Sequence, residues 1–93
     1  MREIRYTTRF KHDYKREKSG RYRKIIDEAL MEVVNLLAAD RPLPLVNVDH
    51  PLLGEWADYR DCHIRPDLIL IYRKPDDTHL DLVRLGSHSQ LGL

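Results

Sequence analysis

Tyr59-Arg60-Asp61-Cys62-His63-Ile64-Arg65-Pro66-Asp67-Leu68-Ile69-Leu70-Ile71-Tyr72-Arg73 is the stretch that decides the fold. Its second half, Leu68 to Arg73, is apolar on consecutive positions, which marks a central strand covered on both faces. Its first half alternates, with Tyr59, Asp61 and His63 on one face and Arg60 and Cys62 on the other. That strand is read from Trp56 to Ile64. Arg65-Pro66-Asp67 between the two reads as a turn, since proline breaks the ladder and aspartate suits turns.

Toward the C-terminus, Lys74-Pro75-Asp76-Asp77 is a second turn. His79 to Leu85 then alternates again, Leu80 and Leu82 against Asp81 and Val83. Three strands joined this tightly form an antiparallel meander. Gly86-Ser87-His88-Ser89-Gln90-Leu91 follows as a short tail.

Toward the N-terminus, Asp40 to Glu55 is a long loop stiffened by Pro42, Pro44 and Pro51, and long ordered loops often carry function. Before it, Tyr22, Ile26, Ala29, Leu30, Val33 and Leu37 keep a three-or-four spacing that predicts an amphipathic helix. An earlier helix, capped by Thr7 or Thr8, has Phe10 and Tyr14 on one face and stops at Ser19-Gly20. Ile4 and Tyr6, alternating with Arg5 and Thr7, make a first strand. The expected fold is α+β in the order β-α-α-β-β-β, one domain over residues 1–93. Two N-terminal helices form an antiparallel hairpin that covers one face of a small, mostly antiparallel sheet.

The net charge of +1 hides an asymmetry. Residues 1–24 carry ten Lys/Arg and three acids, a net +7, and residues 25–93 carry −6. Arg9, Lys11, Lys15 and Lys18 therefore read either as a phosphate-binding surface or as a solvated helix face. The single cysteine, Cys62, has no internal disulfide partner and reads as a small buried apolar residue. The longest apolar run, Leu68 to Tyr72, is too short to span a membrane, and no signal-peptide pattern is present. These features predict a cytoplasmic protein.

Strand alternation puts Asp61 and His63 on one face, and Asp67 opens the neighbouring strand. His50 precedes the first strand of the meander and His88 follows its last, so both can reach the same sheet edge. Arg60, Arg65, Arg73 and Arg84 are near enough to add positive charge. Three imidazoles, two carboxylates and arginines suit RNA cleavage, in which a base takes the ribose 2′-OH proton and an acid protonates the departing 5′-oxygen. Each residue also has a structural reading. His50 can cap the loop, Asp61 can pair with Arg60 or Arg65, Asp67 can shape the turn, and His79, on a strand face, reads as structural or solvent-exposed. A metal site from His50, His63, Asp67 and His88 matches no standard ligand spacing, and the chemistry requires neither metal nor cofactor.

Leu43-Pro44-Leu45, Asp49-His50-Pro51-Leu52, Gly54, Trp56, Tyr59-Arg60-Asp61, His63, Pro66-Asp67, Ile69-Leu70-Ile71-Tyr72, Arg84, Gly86 and His88 together resemble the YafQ branch of the RelE/ParE toxin superfamily. The resemblance implies a RelE-like compact domain. It further implies a ribosome-dependent mRNA interferase that cuts messages in the A site, against 16S rRNA. It also implies an antitoxin of the DinJ or another ribbon-helix-helix type, and a toxin–antitoxin complex that represses its own operator DNA. On this resemblance His50, His63, Asp67 and His88 match catalytic positions, with His88 as general acid and Asp61 and Asp67 orienting the imidazoles. Arg84 matches an arginine beside the site. The chain departs from the family pattern at Leu68 and at Leu91-Gly92-Leu93, where the family has aromatic residues that would stack on bases. Two rival readings follow from the same resemblance: a ParE-like gyrase inhibitor without ribonuclease activity, and a degenerate toxin that acts only as an antitoxin-binding and DNA-binding partner.

Overall fold

The computed structural model describes residues 1–93. Its elements are β1 (Glu3–Tyr6), α1 (Thr8–Lys18), α2 (Ile26–Ala38), β2 (His50–Pro51), β3 (Arg60–Arg65), β4 (Leu68–Arg73), β5 (His79–Gly86) and α3 (His88–Leu91), with 3-10 turns at Leu45–Asn47 and Gly54–Trp56. The strands lie side by side in the order β1-β5-β4-β3-β2. β2 through β5 pair antiparallel, and β1 pairs parallel to β5, so the sheet is mixed.

β4 sits at the centre because both of its faces are buried. On one face Leu68, Leu70 and Tyr72 join Cys62, Ile64, Leu80, Leu82 and Leu85 under Phe10 of α1 and the Ile26, Leu30, Val33, Val34 and Leu37 stripe of α2. On the other, Ile69 and Ile71 pack beneath Leu91, with Leu52, Trp56, Tyr59 and Val83 around them. Each such leucine or isoleucine removed from water contributes roughly 2 kcal/mol. Cys62 is fully buried, and burial pushes its thiol pKa far up, so it is no nucleophile at neutral pH. Leu68 is fully buried on the helix side of the sheet. A side chain there lies in the core, so the departure at Leu68 concerns core packing and not base stacking.

Four features differ from the sequence-based expectation. The strand expected from Trp56 begins only at Arg60, because Gly54, at a φ of 66°, starts a 3-10 turn. Within that turn region Trp56 packs edge-on against Tyr59, with ring centroids 5.2 Å apart. The second helix starts at Ile26, with Tyr22 in the preceding turn. The long loop contains the edge strand β2, only two residues long and so without any periodicity to read. Finally, the tail is a helix. Ser87 Oγ accepts from the Gln90 N–H at 3.1 Å while Gln90 Oε1 accepts from the Ser87 N–H at 2.8 Å, and Gly92, at a φ of 72°, ends the turn.

α1 also completes the sheet edge. β1 covers β5 only from His79 to Leu82. Beyond it, the Asp13 carboxylate accepts the Leu85 N–H at 3.0 Å and Arg16 donates to the Leu85 carbonyl at 2.8 Å, so two side chains take the place of a strand.

Candidate active site

The cleft is assembled at one end of the sheet by β2, β3 and the start of α3. β2 pairs with β3 in a register that sets His50 opposite Asp61. That register is anchored by the preceding residue: Asp49 Oδ1 accepts from the Tyr72 hydroxyl at 2.6 Å and from Arg60 Nε at 3.2 Å. His50 Nε2 then lies 2.8 Å from Asp61 Oδ1, close but without hydrogen-bond alignment, and His50 Nδ1 lies 3.1 Å from the Pro51 carbonyl. Asp61 is 3% exposed, and burial raises its carboxyl pKa although the nearby charges of His50, His63 and His88 pull it down.

His63 follows two residues later on the same face, and its ring meets that of His88 edge-on, with centroids 5.3 Å apart. His88 occupies the first position of α3. Its Nδ1 donates to Asp67 Oδ1 at 2.9 Å, and its backbone N–H reaches the same oxygen at 3.2 Å. These two hydrogen bonds hold the Asp67 carboxyl below its ordinary pKa. With Nδ1 committed to Asp67, Nε2 is the nitrogen left for chemistry. The resulting cleft, of about 400 Å³, is lined by His50, Pro51, Leu52, Leu53, Asp61, His63, His88 and Leu93.

All five residues singled out in the sequence therefore meet, with Asp67 behind His88. The set that could hold a metal differs from the one weighed above. His50, Asp61 and His63 offer ligand atoms within 4.8 Å of one another, whereas Asp67 is engaged with His88.

The cations are placed unevenly. Arg84 is turned to α1, 2.7 Å from Asp13, and its side chain is only 12% exposed. Arg60 is held by Asp49 and the Tyr72 hydroxyl, and Arg73 by Asp81 at 3.3 Å with its guanidinium over the Tyr59 ring. Arg65 is exposed beside His63 and donates to the Ile64 carbonyl. Arg9, Lys11 and Lys15 are exposed on α1, while Lys18 pairs with Asp27. Sequence reasoning missed Asp49 as the anchor of β2, although its position directly before His50 was a usable signal. It also missed Leu93, which reaches the cleft only through the turn of α3.

A family model for the bacterial toxin of type II toxin–antitoxin systems, YafQ, matches residues 2–92. The chain belongs to the YafQ toxin family. Among YafQ relatives, the mRNA interferase toxin YafQ of Escherichia coli (strain K12) is 37% identical over 91 residues, 98% of this chain and 96% of the relative. YafQ in the E. coli DinJ–YafQ complex superposes with a TM-score of 0.79 at 36% identity, covering 98% of both chains. A copper-bound mutant toxin from Helicobacter pylori gives a TM-score of 0.85 at 36% identity, covering 98% of this chain and 99% of that one. The family match spans all three helices and the sheet, and it takes in every cleft residue but Leu93.

Proposed function

We propose that this YafQ-family toxin is an mRNA interferase, an endoribonuclease that cuts messages by internal attack of the ribose 2′-OH on the adjacent phosphorus. The observation that carries the reading is the His63–His88 pair. Two imidazoles with centroids 5.3 Å apart stand within a 400 Å³ cleft, close enough to serve the two sides of one phosphate. The ring of His63 forms no side-chain hydrogen bond, so it is free to take the 2′ proton, with Asp61 and His50 beside it. The P–O2′ bond forms as the P–O5′ bond breaks. His88 Nε2 delivers its proton to the leaving 5′-oxygen, and Asp67 stabilises the imidazolium before transfer. Arg65 is the exposed arginine beside His63 that can meet the phosphate. Arg84 would need to leave Asp13 to do so.

Arg9, Lys11 and Lys15 give α1 a basic face suited to 16S rRNA in the ribosomal A site, a contact that carries no sequence information. The partner would be a DinJ-like or other ribbon-helix-helix antitoxin, by likeness to the YafQ of the DinJ–YafQ complex, and the pair would bind operator DNA. No helix is long and apolar enough to cross a membrane. The proposed place of action is the cytoplasm, on ribosomes. A ParE-like gyrase inhibitor has no use for an aligned His–Asp pair and a second imidazole, so that rival is not favoured.

The H. pylori relative binds copper. In this chain His50, Asp61 and His63 would capture such a cation, and capture would inhibit cleavage by occupying the base. The deciding experiment maps 5′ ends of cellular mRNA after brief induction. In-frame cuts that vanish in His88→Ala support the reading. Growth arrest with inhibited supercoiling and intact messages would replace it with gyrase poisoning.

A further inference from the structure

We infer that Arg16 of α1 is a positioning residue for His88, which rests on the reading of His88 as the general acid. α3 is only four residues long and cannot hold itself in helical form. Its orientation must therefore be imposed by what grips residues 85–91. From below, Leu91 is buried against Ile69 and Ile71. From the side, the grip comes from the Arg16 guanidinium.

Arg16 Nη2 donates to the Leu85 carbonyl at 2.8 Å and lies 3.4 Å from Gln90 Oε1. That Gln90 oxygen is the one that accepts the Ser87 N–H and closes the capping box directly before His88. Arg16 is itself fixed from behind, since Nη1 donates to Asp13 Oδ1 at 3.1 Å and Asp13 is 4% exposed. The contacts thus run from the buried Asp13 through Arg16 to Gln90 and Ser87, and so to the backbone that carries His88.

Gly86 gives an independent sign that the arrangement is built around this brace. A Cβ at position 86 would stand 2.7 Å from Arg16 Nη2 and 2.9 Å from Gln90 Oε1. A larger residue would push the Arg16 and Gln90 side-chain ends out of these positions, and the φ of Gly86 is not in the left-handed region, so the effect is one of space and not of backbone freedom. Without the brace the backbone that carries His88 is held less firmly. Its ring must keep Nδ1 on Asp67 and its edge against His63, and both depend on where α3 starts. A displacement near 1 Å of a proton donor costs about a hundredfold in rate.

The test uses the full-length toxin and the variants Arg16→Ala, Arg16→Lys and Gly86→Ala. Two quantities are measured: steady-state cleavage of a ribosome-bound message, and ¹⁵N NMR of the His88 imidazole, which reports the Nδ1–H tautomer. Arg16→Ala is expected to lower kcat about tenfold to a hundredfold with KM within about twofold of wild type. Its His88 should lose the single fixed tautomer. Arg16→Lys should restore part of kcat, because an ammonium can still reach the Leu85 carbonyl. Gly86→Ala should reproduce the Arg16→Ala defect with the arginine still present. A raised KM with unchanged kcat and an unchanged His88 tautomer would overturn the inference and make Arg16 an RNA contact. An unchanged tautomer with lowered kcat would also overturn it. If the wild-type toxin cuts no message, the endoribonuclease reading fails, while the NMR arm still decides whether Arg16 orders His88.

Discussion

Asp67 Oδ1 receives both the ring Nδ1–H and the backbone N–H of His88, at 2.9 and 3.2 Å, so one oxygen sets the tautomer and ties the ring to its own backbone. The folded pKa of Asp67 is lowered by these bonds. The pairing is therefore in place above the ordinary carboxylate value and is lost only as pH falls through the lowered one. Asp67 stays ionised across the neutral range. Asp67→Asn is expected to cut kcat about tenfold to a hundredfold at every pH from 6 to 8, as loss of an orienting carboxylate does elsewhere. Equal activity of Asp67→Asn and wild type across that range would remove Asp67 from the mechanism.

His88→Ala should abolish mRNA cleavage, with a loss of about a hundredfold or more expected from a missing general acid. The melting temperature and antitoxin binding should remain, because the ring lies in the cleft and outside both apolar clusters. Primer extension on a translated message, beside a pull-down with the antitoxin, checks both. Normal cutting by the variant would assign the acid elsewhere.

Asp61 should trade stability for function. Burial raises its folded pKa, so stability is lost as pH rises from the ordinary carboxylate value through the raised one. Asp61→Asn keeps the shape and removes the buried charge. It is expected to raise Tm at pH 7 by about 5 °C, the size of a 1 kcal/mol gain in a domain this small, while depressing cleavage. A fall in Tm would mean that the His50 and His63 charges already outweigh the burial.

The Asp13–Arg84 pair should matter to folding directly, and Asp13 also bears on His88 through its bond to Arg16. Burial works against the ionised Asp13, yet the Arg84 hydrogen bond, the Leu85 N–H and the charges of Arg84 and Arg16 together lower its pKa. Its contribution is present above the ordinary carboxylate value and lost as pH falls through the lowered one. Asp13→Ala leaves Arg84 unpaired at 12% exposure and should destabilise by about 3 kcal/mol in urea titration. A change below 0.5 kcal/mol, about the size seen at ordinary surface positions, would show that water replaces the carboxylate.

Zinc or copper added to the purified toxin should inhibit cleavage through His50, Asp61 and His63, and a chelator should restore it. His50→Ala should weaken that inhibition about tenfold or more, as loss of one ligand from a three-ligand set. Inhibition unaltered in His50→Ala would place the cation at another site.

The sequence alone determined the centre of the fold and which chemical groups fall near the candidate site. An apolar run without alternation can only be satisfied between two covered faces, so Leu68 to Tyr72 marks β4 as the central strand. The three-or-four spacing of Ile26 to Leu37 likewise fixed which side of α2 meets the sheet. His63 and Asp61 shared a face by the two-residue period of a strand. What the tertiary structure alone decided lies where no period exists. Two residues of β2 and four of α3 are too few to show one, yet they bring His50 to Asp61 and His88 to Asp67. The fate of each arginine was equally hidden, because a charge declares its sign in the sequence but not its partner. Arg84 is drawn to α1 by a buried aspartate 71 positions away, and Arg65 is left exposed beside His63. Local pattern is read from neighbours in the chain, whereas ion pairs and capping contacts form between groups that only the folded backbone brings within hydrogen-bond reach.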